Sequence, residues 1–153
     1  MLDFTGKWKL KDSHLFEDFM ADCNVGMLKR QAAKMVSSEH HIVQDGDKMS
    51  VNVIATGGVQ LALSLLPKSE VQKMPSQKGK QQEYTVGGSF TEQEVTGDTA
   101  EVSTEWDGDK IKEIHKSKDF TYTLTRELQD ENTMVLHLDS PKGTKAKRIY
   151  KKM

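Results

Sequence analysis

Residues 100–110 read AEVSTEWDGDK. Ala100, Val102, Thr104 and Trp106 fall on one side of an extended chain, and Glu101, Ser103 and Glu105 on the other. Asp107-Gly108-Asp109 then turns it. Alternation ending in a glycine turn marks a half-buried strand entering a tight hairpin. The pattern recurs outward in both directions. Phe4, Gly6, Trp8 and Leu10 share a face, and so do Met134, Leu136 and Leu138. Further turns stand at Asp45-Gly46-Asp47, Gly87-Gly88, Thr96-Gly97-Asp98, Asp130-Glu131-Asn132 and Ser140-Pro141-Lys142-Gly143. Short strands at such spacing predict an all-β antiparallel sandwich or barrel.

Two segments break the rhythm. Over 14–36, Phe16, Phe19, Met20 and Cys23, then Met27, Leu28, Ala32, Met35 and Val36, have helical spacing interrupted at Asn24-Val25-Gly26. Two short helices joined by a turn are predicted, with Ser13 as N-cap and Glu17 and Asp18 at the positive end of the first. A helical hairpin between one strand and an all-β remainder suggests a lid on a barrel mouth. In the second segment, about 57–82, Val59, Leu61, Leu63 and Leu65 alternate up to Pro67. This predicts a prolonged third strand followed by a Lys-, Gln- and Ser-rich loop over 68–82. A flap that contacts a membrane or a protein, or a disordered stretch, are the competing readings.

The composition fits a hollow fold. Hydrophobic residues are only 35% of the 153; even with the 11 glycines counted, the chain falls under the roughly 45–50% of an average globular protein. The net charge of -1 argues against disorder and leaves no basic field for nucleic acid. One cysteine, Cys23, excludes an intramolecular disulfide and a cysteine zinc cluster. It is expected as a buried, inert thiol. The start MLDFTGKWKL lacks a secretory pattern, and LALSLL at 61–66 is too short to span a bilayer, so a single cytoplasmic domain over 1–153 is expected.

The chemistry concentrates near the C-terminus. Phe120, Tyr122, Leu124 and Arg126 share one face; Ala146, Arg148 and Tyr150 share another, whose alternates Lys147, Ile149 and Lys151 read as the wet side. Parity therefore places Arg126 and Arg148 inward. A buried arginine cannot shed its proton and needs a carboxylate, water or a ligand anion. The inner positions of the adjoining strand, Met134, Leu136 and Leu138, offer none. A wet cavity that takes a foreign carboxylate, with the Tyr150 hydroxyl as a further donor, is the simplest solution. An internal Asp or Glu partner, or a bulge that turns the arginines outward, competes with it.

At this point the sequence resembles the intracellular lipid-binding proteins of the fatty-acid-binding type. The likeness runs through FTGKWKL, FEDFM, VGMLKRQAAKM and QDGDK, then EYTVGGSFTEQEVTGD, WDGDKI, LTREL and KRIYKK, missing only about 57–80. It implies a ten-stranded antiparallel up-and-down β-barrel (a β-clam) with the 14–36 helix-turn-helix as lid. It also implies a long insertion, about 57–80, between the third and fourth strands near the portal. By the same likeness Arg126, Arg148 and Tyr150 hold a fatty-acid carboxylate, Leu136 and Leu138 line the cavity, and Phe16 and Met20 belong to the lid. The sequence departs from the family's usual pattern at Leu15, Ser38 and Ser117.

The expected function is a cytoplasmic, monomeric carrier of long-chain fatty acids or similar hydrophobic carboxylates, without cofactor or metal. A carrier of retinoic-acid type and a scaffold with a vestigial cavity are the alternatives. No nucleophile, acid–base pair or phosphate-binding loop points to an enzyme. His40 and His41 alternate faces and cannot chelate one metal, while His14, His115 and His137 lack suitably spaced ligand partners. Lys29, Arg30 and Lys34 on the second helix read as a solvated face, or as a docking patch for transient contact with anionic membranes.

Overall fold

The computed structural model describes residues 3–69, 80–93 and 98–153. The chain forms β1 (Gly6–His14), α1 (Phe16–Asp22), α2 (Met27–Met35), β2 (Ser37–Asp45), β3 (Lys48–Gly57) and α3 (Val59–Ser64). Seven strands follow: β4 (Lys80–Thr85), β5 (Ser89–Gln93), β6 (Thr99–Asp107), β7 (Lys110–Lys116), β8 (Thr121–Asp130), β9 (Thr133–Asp139) and β10 (Lys145–Lys152). The ladder runs β4-β3-β2-β1-β10-β9-β8-β7-β6-β5 and is antiparallel throughout. Leu10 lies opposite Tyr150, which joins the first strand to the last. Among the described strands only the edge between β4 and β5 lacks a ladder, so the sheet is a nearly closed barrel.

The alternation at 100–110 becomes the β6–β7 hairpin, with Trp106 opposite Ile111 and Gly108 in a left-handed turn. Interior side chains divide into two packed zones. One, containing Phe4, Trp8, Ile42, Val51, Ile111 and Met134, fills one end of the barrel. Trp8 is fully buried and donates its indole N–H to the Phe4 carbonyl at 2.9 Å. The other zone joins the lid to the opposite end through Phe19, Met20, Cys23, Val25, Leu138 and Ala146. The lone thiol, Cys23, is buried there.

Three local expectations are corrected. Ser13 is not an N-cap: β1 continues to His14, and Leu15, at φ 58, turns the chain directly into α1 without a side-chain cap. Nor does the third strand extend past Gly57. Val59–Ser64 is helical, because Gly58 at φ 76 ends β3 and Ala62 and Leu66, one helical turn apart, bury against Ala32 and Val36. The alternating Leu61 and Leu65 remain 62% and 37% exposed, so they do not supply the buried face. β4 takes up Lys80, Gln81 and Gln82, which were expected in a loop. The rest of the expected insertion, 70–79, and the Thr96-Gly97 part of one predicted turn lie outside the described residues.

Candidate functional site

Between the two packed zones is a cavity of about 350 Å³. Its size falls in the ordinary range for small-molecule sites. Phe16, Met20, Arg126, Leu136, Leu138, Arg148 and Tyr150 all line it. Register explains the meeting of the two arginines: Arg126 on β8 lies opposite Leu136 on β9, which lies opposite Arg148 on β10. Residues paired across neighbouring strands point to the same face of a sheet.

Arg126 is 2% exposed. Its Nη1 lies 3.2 Å from His40 Nδ1 and 3.5 Å from Met134 Sδ, while Nε has no hydrogen-bond partner. His40 can meet a guanidinium only as a neutral ring that accepts at Nδ1 and keeps its proton on Nε2. Burial holds the His40 pKa well below its ordinary value, and the charges of Arg126, Arg148, Lys80 and His41 add to this. The ring rests 4.5 Å from that of Tyr150, which is itself 1% exposed.

Arg148 takes a different station. Its Nε donates to Ser13 Oγ at 3.2 Å, and its guanidinium lies 4.1 Å from the centre of the Phe16 ring. One arginine is thus deep and nearly unpartnered, and the other is held beneath the lid. Among the described residues neither forms an ion pair with a carboxylate.

Several cavity residues escaped the sequence reading. His40 is the inward member of the His40-His41 pair; His41 faces out to Glu39 at 2.9 Å. His115 is buried as well: its Nε2 lies 2.8 Å from Glu113 Oε1, and its ring stacks on Tyr122 at 4.5 Å. The signal was present in KIKEIHK, where Glu113 and His115 share the parity of inward Ile111. Among the described residues no group of three or more such side chains could hold a metal ion. On α2, Lys34 pairs with Glu17 at 2.9 Å and Arg30 with the same carboxylate at 3.7 Å. No described helix is long and apolar enough to cross a membrane.

No family model matches the chain. Human retinol-binding protein 1 is 26% identical over 156 residues, covering 99% of this chain and 98% of its own. Fatty acid-binding protein homolog 8 of Caenorhabditis elegans is 32% identical over 126 residues and covers 81% of both chains. Among solved structures, a Schistosoma mansoni fatty acid binding protein in complex with arachidonic acid superposes with a TM-score of 0.77 at 24% identity. That match covers 98% of this chain and 96% of the other and shows a shared fold.

Proposed function

Because the chain belongs to the intracellular lipid-binding protein family, of the fatty-acid-binding type, we propose that it carries long-chain fatty acids in the cytoplasm as a monomer. The family's members found here are binding proteins, and the chain is a lipid carrier rather than an enzyme. One observation carries the choice of a carboxylate cargo: Arg126 is buried against a hollow and has no carboxylate partner among the described residues. An acid head group reaching it would supply the missing charge, with Arg148 and the Tyr150 hydroxyl as further donors.

The tail drives entry. Burial gives roughly 0.8 kcal/mol per methylene, so a dozen give about 10 kcal/mol before association costs are subtracted. Charge-assisted hydrogen bonds from the arginines add about 1.5–3 kcal/mol each and set orientation. Phe16 and Met20 belong to α1, so passage requires the lid to move. Lys29, Arg30 and Lys34 stand on α2 with exposed Met27 and Leu28, an arrangement suited to transient contact with an anionic membrane. Glu17 already neutralises part of that charge.

The test is titration calorimetry on the Arg126→Gln/Arg148→Gln double variant. Oleate affinity should fall at least tenfold while oleyl alcohol binds as well as before or better. Equal loss for both ligands would remove the head-group role. The near full-length likeness to retinol-binding protein favours a second reading, a retinoid carrier. Two cationic side chains suit retinoic acid better than retinol, whose hydroxyl would leave both uncompensated. Direct competition between oleate and retinoic acid decides between the two cargoes.

A further inference from the structure

The cavity holds a second polar station that a carboxylate head leaves unexplained. Glu113 on β7 is 1% exposed and Glu92 on β5 is 9% exposed. Buried His115 stands between them, its Nε2 on Glu113 Oε1 and its Nδ1 3.7 Å from Glu92 Oε2. Glu92 Oε1 accepts from Gln82 Nε2 at 3.1 Å and pairs with Lys80. These contacts bridge β4 and β5, where the ladder is missing. Closing that seam accounts for one oxygen of Glu92. It accounts for neither of the outer oxygens: Glu92 Oε2 and Glu113 Oε2 have no hydrogen-bond partner.

Both side chains line the same cavity as Arg126. Glu113 lies opposite Leu124 on β8, one inward position along from Arg126, and makes no ion pair with it. The Tyr84 hydroxyl is also without a hydrogen-bond partner, and burial first, then the charge of Glu113, opposes its ionisation. Buried carboxylate oxygens without donors are costly, and a plain hydrocarbon tail has no donor to give. A second carboxylate would be repelled by both acids. An ammonium would add a third cation beside Arg126 and Lys80. A hydroxyl supplies a donor without charge.

Resting on the carrier reading above, we infer that Glu113 and Glu92, aligned by His115, accept a hydrogen bond from a hydroxyl on the ligand chain. The favoured cargo is a hydroxylated long-chain carboxylic acid, with its head at the arginines and its hydroxyl at this acidic station.

The experiment measures binding of stearate, a mid-chain hydroxystearate and ω-hydroxystearate to the wild type and to Glu113→Leu. The wild type should bind at least one hydroxylated acid about tenfold more tightly than stearate. Glu113→Leu should erase that preference and leave stearate binding equal or tighter. If Glu113→Leu does not fold, Glu113→Gln keeps the shape, and the same comparison applies with a reduced preference expected. Stearate binding at least as tightly as both hydroxylated acids, or a preference that survives the substitution, overturns the inference and spares the carrier reading. Failure of all three acids to bind the wild type overturns both.

Discussion

At the scale of single residues, the contact between His40 and Arg126 ties stability to pH. His40 is buried and neutral, its pKa held down first by desolvation and then by surrounding cations. In the unfolded chain a histidine titrates at about 6.5. Below that pH the unfolded state takes up a proton that the folded state refuses, so stability is complete above it and declines as pH falls toward the depressed folded value. The slope approaches about 1.4 kcal/mol per pH unit for one such group. Urea unfolding at pH 7 and pH 5.5 should show the wild type losing about 1 kcal/mol more than His40→Gln, which offers Arg126 an oxygen that does not titrate. Equal losses would mean that His40 is not the group responsible. Comparing the two proteins cancels the other histidines, such as His41 beside Glu39 and His137 beside Glu127. Arg126 was legible in the sequence because Phe120, Tyr122 and Leu124 fix its parity. Glu92, Glu113 and His115 were not, because a charged residue on an inner face looks in sequence like one on an outer face. The parity that Glu113 and His115 share with Ile111 is written in the sequence, but Ile114 makes the opposite face look apolar too, and only the assembled sheet shows which face is inner.

At the scale of elements, the strands were readable wherever one face is apolar and the other polar, as in β6 and β10. The β3–α3 junction was not. Val59, Leu61, Leu63 and Leu65 satisfy a strand template, but the side chains that find a partner are Ala62 of α3 and Leu66 just after it, which pack against Ala32 of α2 and Val36. Tertiary packing overrode local alternation, and small alanines carry little weight in a hydrophobic pattern. Gly58 makes the junction possible. Its φ of 76 suits glycine, and a Cβ there would clash with the Met35 carbonyl oxygen at the end of α2. Gly46, at φ 61 in the β2–β3 turn, would meet nothing within 4 Å. Gly46→Ala should therefore cost about 1 kcal/mol, the backbone penalty alone. Gly58→Ala should cost clearly more, about 2–4 kcal/mol, because α2 or α3 must shift as well. Denaturant midpoints of the two variants check this. Equal costs would mean that the approach of α3 to α2 does not constrain the fold.

At the scale of the whole molecule, the barrel is filled at one end, capped at the other and hollow between, and Arg126 sits in the hollow wall. Such an arrangement works against stability. A cavity forgoes packing contacts, and a buried cation without a counter-charge forgoes solvation that a neutral ring and a thioether sulfur only partly replace. Site and fold should therefore respond oppositely to the same change. Arg126→Met keeps a long flexible side chain while deleting the charge, and it also frees His40 from facing a cation. The empty variant should be more stable than the wild type by about 1–3 kcal/mol, the gain seen when buried charges give way to apolar side chains. Saturating oleate should stabilise the wild type strongly and the variant much less, since ligand stabilisation follows affinity. Urea unfolding with and without oleate measures all four states. A less stable empty variant would show that protein groups already compensate Arg126, leaving it no need of an acid from outside.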